Sequence, residues 1–163
     1  MPDDSKAVVQ EYYERLNSHD LRLAGELLSD DCRVTVADKE LDKDAYLEFL
    51  DGWISGFPDL RNRLDDVVAE GSMVAVRSTW QGTHDGPFAG APATGRRVTF
   101  GSFSTSRVDG GRIVERRLLA NFFGVLQQIG DVSWRPRAGG GALDARDIAA
   151  DLTAAVRALP ATE

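Results

Sequence analysis

Soft and near-neutral side chains are scarce in this chain: one cysteine, two methionines and two histidines among 163 residues. With Cys32 alone, no disulfide can close within the chain. His19 and His84 are far apart in sequence and complete no ligand cluster, so neither a metal nor a redox cofactor is expected. Basic charge is also short. Nineteen Lys and Arg stand against 26 Asp and Glu, a formal net charge of −7. That balance speaks against nucleic acid, whose phosphates require a basic face, and against an anionic membrane surface. No apolar run approaches the roughly 20 residues that span a bilayer. The opening MPDDSK is acidic and has no apolar stretch behind a basic start, unlike a signal peptide. A reducing cytoplasm is the simplest compartment for such a sequence.

What is present fits one globular domain with a real core: 42 % apolar and 28 % charged residues. Val8, Val9, Tyr12, Tyr13 and Leu16 predict an amphipathic helix over Ser5–Asn17. Asn17-Ser18-His19-Asp20 ends it, and Asp20 caps a short second helix through Leu27-Leu28. Cys32–Val36 reads as a strand. Asp42 caps a third helix, with Leu41 placed to staple against Tyr46. Tyr46, Phe49, Leu50, Trp53 and Phe57 give that helix one large aromatic face, and Pro58 stops it.

From Arg61 the period changes to two. Arg61–Glu70, Met73–Thr83, Arg96–Val108 and Arg112–Asn121 read as strands, with turns at Gly71-Ser72 and Asp109-Gly110-Gly111. Thr83–Gly95 is a Gly- and Pro-rich loop. Asn121 caps a last turn of helix over Phe122–Ile129. Helices followed by an antiparallel meander imply an α+β fold, with helices on one face of a curved sheet. Residues 132–142 read as a linker. Residues 143–160 read as an amphipathic helix whose stripe, Ile148, Leu152, Val156 and Leu159, must dock on its own domain or on a partner subunit.

Five segments in order resemble the SnoaL-like polyketide cyclases of the nuclear-transport-factor-like superfamily. They are Asn17–Asp20, Phe57-Pro58-Asp59-Leu60, the loop Gly82–Arg96, the turn Val108–Glu115 and the helix Gly124–Gly130. The resemblance covers about residues 5–131. It implies a cone-shaped half-barrel, N-terminal helices closing a ligand pocket, and a homodimer or homotetramer formed through the outer sheet face. It also implies a cofactor-free aldol-type cyclase with an acidic residue on the last long strand and a histidine on the strand before it.

Aligned by the Asp-Gly-Gly turn, the acid position falls on Leu118 and the helper histidine on Ser104. Neither titrates. A slip of register by a residue or two would bring Asn121 or Arg117 inward instead. The candidate catalytic residues are His84, Arg116, Ser104 and Asn121. His84 carries an imidazole in the family's loop, although a hydrogen-bonded loop anchor is the plainer reading. His19, in a turn, is expected in solvent. One of Arg116-Arg117 must face inward, and a buried guanidinium calls for a carboxylate, with Glu115 and Asp59 as candidates. Ser102, Ser104 and Ser106 share one strand face. They either widen a cavity or offer hydroxyls to substrate oxygens.

The candidate substrate-binding residues are Tyr46, Trp53, Phe57, Trp80, Phe100, Ser102 and Leu118, with Phe103 as further aromatic surface. Together these readings point to a cofactor-free cyclase or isomerase. Its substrate would be a polyketide-like or similarly hydrophobic, oxygenated small molecule of specialised metabolism, worked on by folding and hydrogen bonding. A non-catalytic carrier, or a cofactor-free hydrolase or oxygenase of the same superfamily, are the alternatives.

Overall fold

The structure is a computed structural model and describes residues 4–130. The linker and the amphipathic helix expected at 132–142 and 143–160 lie outside the described residues. Helix α1 (Asp4–Asn17) buries Val8, Val9, Tyr12, Tyr13 and Leu16, the apolar stripe of its sequence. Helix α2 (Leu21–Glu26) starts at Asp20, whose carboxylate accepts a hydrogen bond from the Leu23 N–H. Helix α3 (Lys43–Gly56) starts at Asp42, which accepts from the Ala45 N–H at 2.9 Å. Each cap satisfies an N–H that has no partner within its helix.

Six strands form one curved sheet in the order β2-β1-β6-β5-β4-β3. They are β1 (Leu28–Val36), β2 (Lys39–Leu41), β3 (Arg61–Glu70), β4 (Met73–Thr83), β5 (Arg97–Asp109) and β6 (Arg112–Ala120). The last four are the expected meander. The first two depart from expectation. Strand β1 begins four residues before Cys32 and pairs parallel to β6, and β2 was not foreseen. The β1–β2 turn at Ala37-Asp38 carries none of the usual glycine signals, yet Ala37 adopts φ 53. A hydrogen bond from its N–H to the Leu118 carbonyl holds it there.

Extra residues at Asp65 in β3 and at Val114 in β6 shift the register and bend the sheet. The result is a cone-shaped half-barrel closed by the helices. Strand β5 alternates without exception, so Phe100, Ser102, Ser104 and Ser106 face inward. Helix α4 (Phe122–Ile129) follows Asn121 and ends at Gly130 in the left-handed conformation.

The loop after β4 is tied down from both ends. The His84 N–H donates to Arg96, and the His84 carbonyl accepts from Thr94 and Gly95. The N–H groups of Asp85 and Gly86 both donate to the Gly56 carbonyl at the end of α3. Phe88 then folds into the core against Trp53 and Phe57. A Cβ on Gly86 would lie 2.0 Å from the Ser55 carbonyl oxygen. Gly86→Ala is therefore expected to destabilise by about 3 kcal/mol, by forcing loop from helix. Gly52→Ala on α3, where a Cβ meets nothing within 4 Å, should stabilise by about 0.5–1 kcal/mol. Urea denaturation of the two variants checks both signs.

Candidate active site

A narrow cleft opens between α3 and the inner face of the sheet. Its walls follow from two periodicities. Phe49, Leu50, Trp53 and Ile54 come from one face of α3, and Trp80, Phe100, Leu118 and Ala120 from alternate positions on β4, β5 and β6. Trp80 and Phe100 stack at 6.1 Å with an interplanar angle of 7°, and Trp53 lies 5.2 Å from Phe100. This parallel aromatic surface suits a flat, apolar ligand. Leu118 stands on the inner wall opposite Ser104.

Behind that wall lies a polar cluster. Arg116 faces inward, 1 % exposed, while Arg117 faces out. The expectation of a carboxylate partner is corrected: Arg116 is held by hydroxyls. Its Nε donates to Tyr46 Oη at 3.2 Å, one terminal nitrogen to Ser106 Oγ at 2.9 Å, and the other to Tyr13 Oη. Its guanidinium also stands 5.0 Å from the ring centroids of Tyr12 and Tyr13. Burial alone would pull the guanidinium pKa down, but the phenol oxygens of Tyr13, Tyr46 and Tyr12 outweigh it and hold the group above its ordinary value. Burial, with Tyr46 alongside, pushes the Tyr12 phenol well up. Glu115 instead pairs with Arg107 and Arg117, and Asp59 accepts from Thr83.

Of the sequence-predicted substrate residues, Trp53, Trp80, Phe100 and Leu118 line the cleft. Tyr46, Phe57 and Ser102 lie behind the wall. Tyr46 is engaged by Arg116 and Tyr12. Phe57 is sandwiched between Trp53 and His84. Ser102 accepts from Trp80 Nε1 at 2.9 Å and bonds Ser78 at 2.8 Å. Of the predicted catalytic residues, Ser104 bonds Tyr13 at 2.9 Å, so all three inward serines of β5 have partners inside the protein. Asn121 accepts from the Gly124 N–H and caps α4. His84 is wholly buried, with Nδ1 3.0 Å from Thr94 Oγ1 and its ring against Phe57. Phe103 stands on the outer face by strand parity, 63 % exposed.

His19 reverses its expectation. It is half-buried and lines the cleft, with Nε2 2.6 Å from the Leu60 carbonyl oxygen. The sequence signal was its position, since it directly follows a helix end where glycine commonly stands. Among the described residues, no group of three or more His, Cys, Asp or Glu side chains is placed to hold a metal ion. No helix among them is long and apolar enough to cross a membrane.

The helix-closed cone and its inward cleft are those of a known family. The chain belongs to the SnoaL-like polyketide cyclase family, whose model matches residues 6–129. AclR from Streptomyces galilaeus, assigned as a hydroxylase, is 29 % identical, with a TM-score of 0.75 over 79 % of this chain and 97 % of its own. IdmH from Streptomyces antibioticus, assigned as a polyketide cyclase, is also 29 % identical, with a TM-score of 0.71 over 77 % and 98 %. A SnoaL-like protein from Jannaschia, 21 % identical with a TM-score of 0.74 over 82 % and 97 %, shares the fold. No curated protein sequence matches the chain.

Arg116 joins residues from α1, α3, β5 and β6 through bonds in three directions. Arg116→Ala leaves buried hydroxyls without a donor and should cost about 3–5 kcal/mol in urea denaturation. Arg116→Lys keeps the charge but not the fork, and should recover less than half of that loss.

Proposed function

We propose that this protein is a cyclase or isomerase for a polyketide-like or similarly hydrophobic, oxygenated small molecule of specialised metabolism. The reaction relies on the protein's own side chains, without cofactor. The observation that carries this reading is the aromatic cleft itself, with Trp53, Trp80 and Phe100 set to stack on a flexible, partly conjugated chain and hold its reacting carbons together. Holding two reacting groups of one molecule in contact lowers the barrier by several kcal/mol before any proton moves. Leu118 stands at the position read as the family's acid, so a carboxylate on β6 is not the proton carrier. IdmH supports cyclisation, and AclR supports oxygen chemistry on the same scaffold.

A second reading, a carrier that binds without turnover, is favoured by the same wall. Eleven of the twelve lining side chains carry no group that titrates near neutral pH. Incubation with linear polyene and poly-β-ketone esters, followed by mass spectrometry, separates the readings. A cyclase returns a product of unchanged mass, an oxygenase adds an oxygen atom, a hydrolase takes up water and splits the ester into acid and alcohol, and a carrier retains the ligand unaltered. We expect unchanged mass with altered retention, and Trp53→Ala should reduce the rate about tenfold or more by loosening the fold of the chain.

The outer sheet face is proposed as a homodimer surface. Phe103 and Leu119 are direct cross-strand partners there, each 63 % exposed, and Val68 is 66 % exposed. Phe103→Glu combined with Leu119→Glu is expected to convert a dimer to monomer in light scattering while the melting temperature at high concentration falls only slightly.

A further inference from the structure

Asn17, Ser18 and Asp20 spend their side chains on the turn and its neighbours, whereas His19 commits one ring nitrogen only. Asn17 exchanges two hydrogen bonds with the backbone of Asn62, at 2.8 and 2.7 Å, and pins the end of α1 to β3. Ser18 Oγ donates to the Arg15 carbonyl, and Asp20 caps α2. His19 stands where the chain leaves α1, in the left-handed region at φ 61. Glycine takes that conformation without strain, and a side chain there costs stability. The ring it carries lines the cleft and is the one imidazole among the twelve lining side chains.

The tautomer is fixed by its partner. A carbonyl oxygen can only accept, so Nε2, 2.6 Å from the Leu60 oxygen, carries the hydrogen. The neutral ring therefore holds its basic lone pair on Nδ1. Among the described residues Nδ1 makes no hydrogen bond, whereas Nε2 is engaged. The charged neighbours along the chain are occupied: Asp20 by the Leu23 N–H, and Asp59, next to Leu60, by Thr83. On α3 the cleft is lined by Phe49, Leu50, Trp53 and Ile54, and on the sheet by Trp80, Phe100 and Leu118, none of which accepts a proton near neutrality.

We propose that His19 is the catalytic base, and then acid, of this cleft. For a carbonyl substrate, Nδ1 takes a proton from the carbon next to a carbonyl, and the C–H electron pair moves into the enolate. The enolate carbon forms the new bond to a second carbonyl carbon, whose electron pair moves onto its oxygen. The imidazolium returns the proton to that oxygen, so atoms and charge balance with no added reactant. This deepens the cyclase reading and rests on it for its substrate class, but the assignment of the base can be tested apart from it.

The test uses nitrobenzisoxazole, a flat aromatic probe. Removal of its ring C–H proton by a base forms a nitrile, breaks the N–O bond and releases a coloured phenolate. The full chain should open the probe with saturation. His19→Gly, which suits the left-handed backbone, should lose about a hundredfold of that rate with an unchanged or higher melting temperature. Added imidazole should restore it saturably. His19→Asn, which tolerates the same backbone but holds no base, should stay inactive. Unchanged turnover in His19→Gly overturns the assignment. So does loss without rescue accompanied by a lower melting temperature, the mark of a turn anchor. If the wild-type chain binds anilinonaphthalene sulfonate in the cleft and converts ketide esters, yet leaves the probe intact, His19 is not the base and the cyclase reading stands. If it converts neither substrate, both readings fail.

Discussion

A cation that, among the described residues, bonds hydroxyls and no carboxylate organises the interior of this cone. The guanidinium of Arg116 donates to hydroxyls from α1, α3 and β5, and its face lies against two tyrosine rings. A buried charge is tolerated only when its donors are met. Here they are met by neutral acceptors, which cost less to desolvate than carboxylates would. The arrangement forces Tyr13 and Tyr46 to one place, and with them the helices that carry them. Those helices in turn set the angle at which Phe49 and Trp53 confront the sheet. The aromatic cleft is thus a consequence of a polar bond pattern one layer deeper.

The cleft and the cluster divide the interior into two chemical environments. The outer one is apolar and aromatic, a surface suited to a flat ligand by area and shape. The inner one is polar but saturated, since Ser104 and Ser106 spend their hydroxyls on Tyr13 and Arg116. A saturated network resists change and offers little to a ligand. The proposed proton chemistry accordingly falls to His19 and not to this network. His19 at the end of α1 is set there by a turn that Asn17 fastens to β3.

Much of this was legible in the residues. Strict alternation on β5 announced which side chains face inward, and Asp20, Asp42 and Asn121 announced three helix starts through their capping oxygens. The β1–β2 hairpin was not legible, because its turn uses alanine in a left-handed conformation that only a distant contact, the Leu118 carbonyl, sustains. The partners of Arg116 were not legible because a buried guanidinium calls first for a carboxylate, with Glu115 and Asp59 as the candidates. Phenols 70 and 103 residues away answer the need instead. His19 was missed as a cleft residue because a polar turn reads as solvent-facing, and only the packing of α1 against β3 turns the ring inward. Tyr46 and Phe57 follow the helical period of α3 as expected, but the cleft takes only part of that face.

Leu118 and Arg116 are two positions apart on the same face of β6, with Ser104 and Ser106 directly across from them. The leucine side chain is therefore a bulkhead between the two chambers. While it stands, a ligand ends at an apolar wall, and its polar end must face the mouth. Were it shortened, the cleft would extend toward the Tyr13–Ser104 pair, and a longer molecule would end against hydroxyls already bonded to each other. One branched side chain on one strand thereby sets both the length of molecule admitted and the direction in which it enters.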